Sequence, residues 1–296
     1  LHKQDIFVRK PFREENGGKR EYLSESYFRY FDGREYTDSL TYLTVTQEAQ
    51  KSRLFSFDNK RWRDFLVKIR KVQDQLKDTG VRAEFLTKEA ACEYIDRYFA
   101  MDFTHKTLSM NNFKVDEECV RMGDQKCKIF SLVDVDSINL PGLVRPFANI
   151  EVNNTRMPVD LMAAIDQIPE ARTVIYNQMI FIPNQKRELA LLEKKKNRHA
   201  SIPNPGNQMA VEDIKQVQEV MAREGKQLVY THYNLVVCCN NDTDLQKPTN
   251  HLENTFGRMG IHISKRAYNQ LELFVNSFPG NCYGMSAEYD RLSLIH

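Results

Sequence analysis

Six apolar residues at helical spacing limit what this chain can fold into. Trp62, Phe65, Leu66, Ile69, Val72 and Leu76 recur at i, i+3, i+4 and i+7, which puts them on one stripe of an α-helix. Ser56 or Asp58 can cap its start, and Gly80 can end it in left-handed geometry. Arg61, Arg63, Lys68, Arg70 and Lys71 cover much of the remaining surface. A helix of this length between β-rich runs points to a mixed α and β protein. One such run, Ser39–Thr46, precedes it and another, Val81–Leu86, follows it.

The alternation continues along the chain. Thr87 can cap a helix over 88–99, with Ala91, Tyr94, Ile95 and Tyr98 or Phe99 inward. Phe113–Arg121 and Lys126–Val135 read as strands joined by the turn Met122-Gly123-Asp124-Gln125. Leu140-Pro141-Gly142 breaks the pattern, and a helix is expected over Pro158–Ile168. Ile175–Ile182 is a buried strand stopped by Pro183, and Lys186–Arg198 is helical. A proline-bearing loop over 200–207 leads to a helix through Val211, Ile214, Val217 and Met221, closed by Gly225. Leu228–Cys239 is a long strand. The helix of Leu252, Phe256 and Met259 comes next, with Pro248 in its first turn. Gly260, a strand over Ile261–Ser264 and a helix over Ala267–Phe278 complete the series.

The expected class is α+β, with mixed β-sheets and helices packed on one face, in two ferredoxin-like or related halves. Strand, helix, glycine, strand and helix recur around Gly80 and around Gly260, which suggests an ancient duplication; chance recurrence of a common order is the alternative. The division is 1–37 as an irregular lead-in, with at most a short strand near Tyr27–Tyr30, then 38–150 and 151–296 as the two halves.

Composition narrows the function. The 296 residues carry 42 Lys+Arg against 40 Asp+Glu, a net charge of +2, which disfavours a protein that coats nucleic acid. The longest apolar run, Leu235–Cys239, is far short of the ~20 residues that span a bilayer. The opening residues lack the apolar core of a signal peptide and an initiator Met, so the chain is expected to start inside a longer protein. The six cysteines include no CxxC pair and are expected to be reduced.

Local catalytic motifs are missing from the sequence. Gly18-Lys19 and Gly225-Lys226 are followed by Arg20 and Gln227 and lack the earlier glycine, so neither forms a phosphate loop. GxGxxG, HExxH and GxSxG do not occur. Cys119 and Cys127 flank the expected hairpin, but zinc needs two more ligands. Cys238 and Cys239 alternate across a strand and cannot easily chelate one ion. Cys238 with His262 is a conceivable nucleophile and base, although a structural histidine is the commoner outcome. No catalytic, cofactor-binding or metal-ligating residue is therefore assigned. The one marked charge cluster is Lys194, Lys195, Lys196 and Arg198, with Lys186 and Arg187 earlier. It can touch phosphate or a partner, or simply be the solvated end of a helix, where cations complement the dipole.

Several stretches carry a resemblance. They are 174–178, 184–192, Asn204-Pro205-Gly206-Asn207-Gln208, Ile261-His262-Ile263-Ser264, Phe278-Pro279-Gly280-Asn281 and the opening His2-Lys3-Gln4-Asp5. Together they resemble the TraG-type conjugation ATPases of Bacteroides-like conjugative transposons, within the VirB/TrbE/CagE-type family of type IV secretion ATPases. The likeness covers essentially the whole chain, as the family's N-terminal and middle region. It implies a RecA-like domain further along that binds ATP and Mg, hydrolyses ATP and powers DNA transfer and pilus assembly. No cofactor is implied for the residues present. Also implied are docking onto inner-membrane channel components, self-association of the full-length protein, and a cytoplasmic location peripheral to the inner membrane. The alternative is a nucleic-acid-binding module using the basic helix 186–198.

Overall fold

A computed structural model describes residues 1–12, 22–47, 59–104, 113–131, 148–152, 155–159, 165, 167–202, 204–258, 261–264, 268–281 and 291–295. The strands are β1 (His2–Pro11), β2 (Glu35–Thr44), β3 (Phe113–Val115), β4 (Val120–Met122), β5 (Gln125–Ser131), β6 (Ala148–Val152), β7 (Thr155–Val159), β8 (Ala171–Phe181), β9 (Gln227–Asn240) and β10 (Arg291–Ile295). The helices are α1 (Tyr22–Phe31), α2 (Asn59–Asp78), α3 (Lys88–Ala100), α4 (Gln185–Ala200), α5 (Pro205–Glu224), α6 (Gln246–Arg258) and α7 (Gln270–Asn276).

Eight strands form one antiparallel sheet in the order β2-β1-β8-β9-β5-β4-β3, with β10 on the free end of β9, while β6 and β7 make a separate hairpin. The α+β class expected from the sequence is what the chain adopts. Strands from before and after residue 150 share this sheet: β9 pairs with β5 on one edge and β8 on the other.

The helices are distributed differently from the single helix-bearing face expected. Consecutive β9 residues Leu235, Val236, Val237, Cys238 and Cys239 are all buried, so both faces of the strand must be covered. One face joins Ile6, Ile129, Ile175, Val236 and Cys238 to Tyr94 and Tyr98 of α3 and Leu273 and Phe274 of α7. The other joins Phe130, Val174, Leu235, Val237 and Cys239 to Leu252 of α6. An aromatic stack locks α3 to α7: Tyr98 lies 5.1 Å from Phe274 and donates its hydroxyl to the Phe274 carbonyl at 2.9 Å.

Two glutamines complete the sheet where strands run past their neighbours. Ile129 lies beyond the end of β4, and Gln270 pairs with its backbone, accepting from the N–H at 2.7 Å and donating to the C=O at 3.0 Å. Leu228 lies beyond the end of β8, and Gln185 does the same at 2.8 and 2.9 Å. Each amide substitutes for a strand residue at an otherwise unpaired buried backbone group.

The helix expectations hold where periodicity is strong. Thr87 caps α3 through the Ala90 N–H, and Gly80 and Gly225 adopt φ of +85° and +66° after their helices. Gly123 takes φ of +57° in the β4–β5 turn.

Other expectations are corrected. The 1–37 lead-in is not irregular: residues 2–11 form β1, inside the sheet between β2 and β8. Residues 27–30 lie in a helix, where Phe12 stacks on Phe28 at 5.6 Å. Residues 81–86 form no strand, because no neighbouring strand pairs with them; Val81, Phe85 and Leu86 are exposed. Pro158 belongs to β7 rather than a helix start. Pro205 opens α5 rather than sitting in a loop, its missing N–H being harmless at that position. Ile261 makes a single bridge, not a strand. The expectations on Gly17-Gly18, Ser56, Asp58, 132–135, Leu140-Pro141-Gly142, 160–164, Gly260 and Ala267 lie outside the described residues.

Candidate functional site

The basic cluster lies on α4, half of a two-helix hairpin rooted on the sheet by the Gln185–Leu228 pairing. Tyr230 of β9 donates to Glu188 at 2.7 Å, a second anchor near the base. Asn184 and Asn204 cap α4 and α5 by accepting from the N–H groups of Arg187 and Asn207. At the tip, His199 and Asn207 are 2.8 Å apart, and Asn207 donates to the Ile202 carbonyl. Beyond the root the hairpin buries little: Glu188 and Leu192 in α4, and no residue of α5.

The structure divides the four predicted contact residues. Lys194, Lys195 and Arg198 are exposed. Lys196 turns toward α5: its ammonium meets Glu193 of its own helix at 2.6 Å and Gln218 of α5 at 3.4 Å. Gln218 also donates to Glu193, and these hydrogen bonds, Lys196 first, hold the Glu193 carboxyl below its ordinary range. Lys196 therefore serves the hairpin, leaving a smaller basic surface than the sequence suggested.

A second constellation was not anticipated. On the face bearing α3 and α7, a belt of polar side chains crosses the sheet, and all are buried: His2 and Gln4 on β1, Asn177 on β8, His232 and Asn234 on β9, and Ser277 after α7. Gln4, Asn177 and Asn234 stand in register across three strands. Tyr94 donates to Gln4 Oε1. Gln4 Nε2 donates to Asn177 Oδ1 at 2.8 Å and to the Ser277 carbonyl at 3.2 Å. Asn177 Nδ2 donates to Asn234 Oδ1 at 2.7 Å. Asn234 Nδ2 then serves Ser277 Oγ at 2.8 Å and His232 Nε2 at 3.0 Å, and Ser277 donates to the Leu273 carbonyl.

These directions fix the proton positions. Asn177 Oδ1 can only accept, so His2, 2.9 Å away, carries its proton on Nε2. His232 Nε2 accepts, so its proton is on Nδ1. Burial pushes the His2 pKa down to about 4, against its hydrogen bond to Asn177, and keeps the ring neutral. Burial likewise drives the Tyr94 hydroxyl well above its usual value. A belt of neutral amides, imidazoles and hydroxyls offers no nucleophile paired with a base. It does specify which residues of β1, β8 and β9 lie opposite one another, since a slip would strand buried polar groups. The sequence signal was faint: His2 and Gln4 alternate with the charged Lys3 and Asp5, and their partners lie 90 or more residues away.

The cysteine chemistry considered from sequence is not assembled. Cys238 faces α3 and α7 and donates to Gln125, whereas His262 is exposed next to Ile263, which packs on the opposite face. Cys238 and Cys239 do point to opposite faces. Burial raises the Cys127 thiol and pushes Cys239 up to about 12, so both stay protonated. Among the described residues, no three His, Cys, Asp or Glu side chains converge to hold a metal ion. Nor is any helix among them long and apolar enough to cross a membrane.

A family model for the TraC protein matches residues 68–282. The match takes in α3, the α4–α5 hairpin and every strand of the sheet except β1, β2 and β10. No curated protein matches the sequence. With well over half of its length matched, the chain belongs to the TraC protein family, a family of conjugation and type IV secretion systems.

Proposed function

We propose that the chain is a non-catalytic region of a TraG-type conjugation ATPase, docking the motor onto inner-membrane channel components and supporting its assembly. The family match over most of the sheet carries this reading. In it, ATP and Mg are bound and hydrolysed by a separate RecA-like domain, and the protein is peripheral to the inner membrane. Two features support a docking role. The polar belt buried across the sheet is neutral, and apolar side chains on the outlying elements face solvent, among them Trp62, Phe85, Ile202 and Met209. The test is to titrate the purified chain with ATP and Mg in a calorimeter and to probe its co-purification with the inner-membrane components of the same system. The expected result is no sub-millimolar nucleotide binding together with stable co-purification. Sub-millimolar ATP affinity would overturn the reading.

The exposure of Lys194, Lys195 and Arg198 on one projecting helix favours a second reading, a weak nucleic-acid contact. It requires salt-dependent binding. Retardation of DNA unchanged in the Lys194→Ala, Lys195→Ala, Arg198→Ala variant rejects it.

A further inference from the structure

Helix α2 carries an apolar stripe along its 20 residues, yet none of them is buried. At about 100° per residue, Trp62, Phe65, Leu66, Ile69, Val72 and Leu76 occupy an arc of about 120°. Arg61 and Lys68 stand on one border of that arc, and Arg63, Arg70 and Lys77 on the other. Asp64, Asp74 and Asp78, the helix's only acidic residues, all fall on the far side. Among the described residues α2 makes no extensive contact with the sheet; Trp62 is exposed, and Phe65, Leu66, Ile69, Val72 and Leu76 are half-buried.

The neighbouring segment extends the apolar surface. Gln73 donates to the Ala83 carbonyl at 2.8 Å, and the Val81 N–H reaches the Leu76 carbonyl at 2.9 Å, so residues 81–86 lie alongside the helix. Val81, Phe85 and Leu86 are each at least half exposed. Trp62, near the start of α2, is 48% exposed, an unusual setting for the only tryptophan of the chain.

We propose that α2 lies in the plane of an anionic lipid surface, its apolar stripe and Phe85-Leu86 entering the acyl boundary and its bordering Arg and Lys side chains meeting lipid phosphates. Charge complementarity selects this occupant. A nucleic acid would engage the cations but leave the apolar arc in water, whereas an anionic bilayer accepts both at once. Trp62 suits the headgroup level, with an apolar ring and an N–H donor. The inference specifies, and in that respect rests on, the peripheral membrane location proposed above.

The single tryptophan makes the test direct. The purified chain is mixed with vesicles of phosphatidylcholine alone, or of phosphatidylcholine with phosphatidylglycerol, and followed by flotation and Trp62 emission. Binding and a blue shift are expected with the anionic vesicles, weakening as salt is raised. Two variants are compared: Arg61→Glu, Arg63→Glu, Lys68→Glu, Arg70→Glu, and Phe65→Ser, Ile69→Ser. Each is expected to lose at least about tenfold in vesicle affinity while keeping the wild-type circular dichroism, since no altered residue is buried. Indifference of Trp62 to anionic vesicles, wild-type vesicle affinity in either variant, or an equal blue shift with short duplex DNA and no lipid would overturn the proposal. Vesicle binding by a chain that binds no channel component upholds the helix's role and rejects the docking reading; the reverse result rejects only the helix's role.

Discussion

His2 ties the behaviour of the whole sheet to pH. Its ring is neutral in the folded chain, with the pKa lowered from 6.5 to about 4, chiefly by burial. A depressed folded pKa means that its contribution is complete above about pH 6.5. It drains away as pH falls toward 4, because the unfolded chain takes up the proton first. The expected loss from this residue alone is about 3 kcal/mol across that window. Urea denaturation at pH 7.5 and pH 4.5 measures it: the wild type should lose more stability between these points than His2→Asn. Equal losses would show that burial does not control the ring. Asn177 holds the centre of the same belt, accepting from Gln4 and His2 and donating to Asn234. Asn177→Ala strands three buried partners, so a cost of about 2–4 kcal/mol is expected in chemical denaturation.

Among the elements, the α4–α5 hairpin depends on its caps because it buries so little. Asn204 supplies the side-chain cap of α5, and Asn204→Ala is expected to cost about 1 kcal/mol of stability. Amide exchange should locate that loss in the hairpin, with β8 and β9 unchanged; uniform loss across the sheet would mean that the hairpin and sheet unfold as one unit. Element scale is also where sequence and structure compare most plainly. Helices α2, α3, α4 and α5 were legible from their apolar spacing, with Thr87 marking the start of α3 and Gly80 and Gly225 the ends of α2 and α5. Strand β9 was legible from its continuous apolar run. Strand β1 was not, because its even positions mix apolar Ile6 and Val8 with His2 and Gln4, whose burial depends on distant amides. Residues 81–86 show the opposite error: apolar content without a neighbouring strand yields no ladder. The basic cluster was legible as charge, but the diversion of Lys196 to Glu193 and Gln218 depends on how two helices pair.

The molecule as a whole is organised by one sheet whose strands come from distant parts of the chain. Strands β1 and β2 precede the residues matched by the family, yet β1 covers an edge of β8 and contributes Ile6 and Val8 to the core. A chain shortened to begin at residue 45 loses both strands and exposes that edge. It is expected to aggregate or unfold, as judged by size-exclusion chromatography and circular dichroism. A soluble, cooperatively folding product would show that the matched region is self-sufficient. The polar belt buried across the sheet is neutral, while the outlying helices carry exposed apolar and basic groups. This arrangement suits a body that positions other components. The docking account is tested most directly in donor cells that carry an intact conjugation system of the same kind and overproduce this chain. Occupation of the motor's dock by the overproduced chain should lower the frequency of DNA transfer. Transfer at the undisturbed frequency, with the chain folded and abundant, would contradict the account.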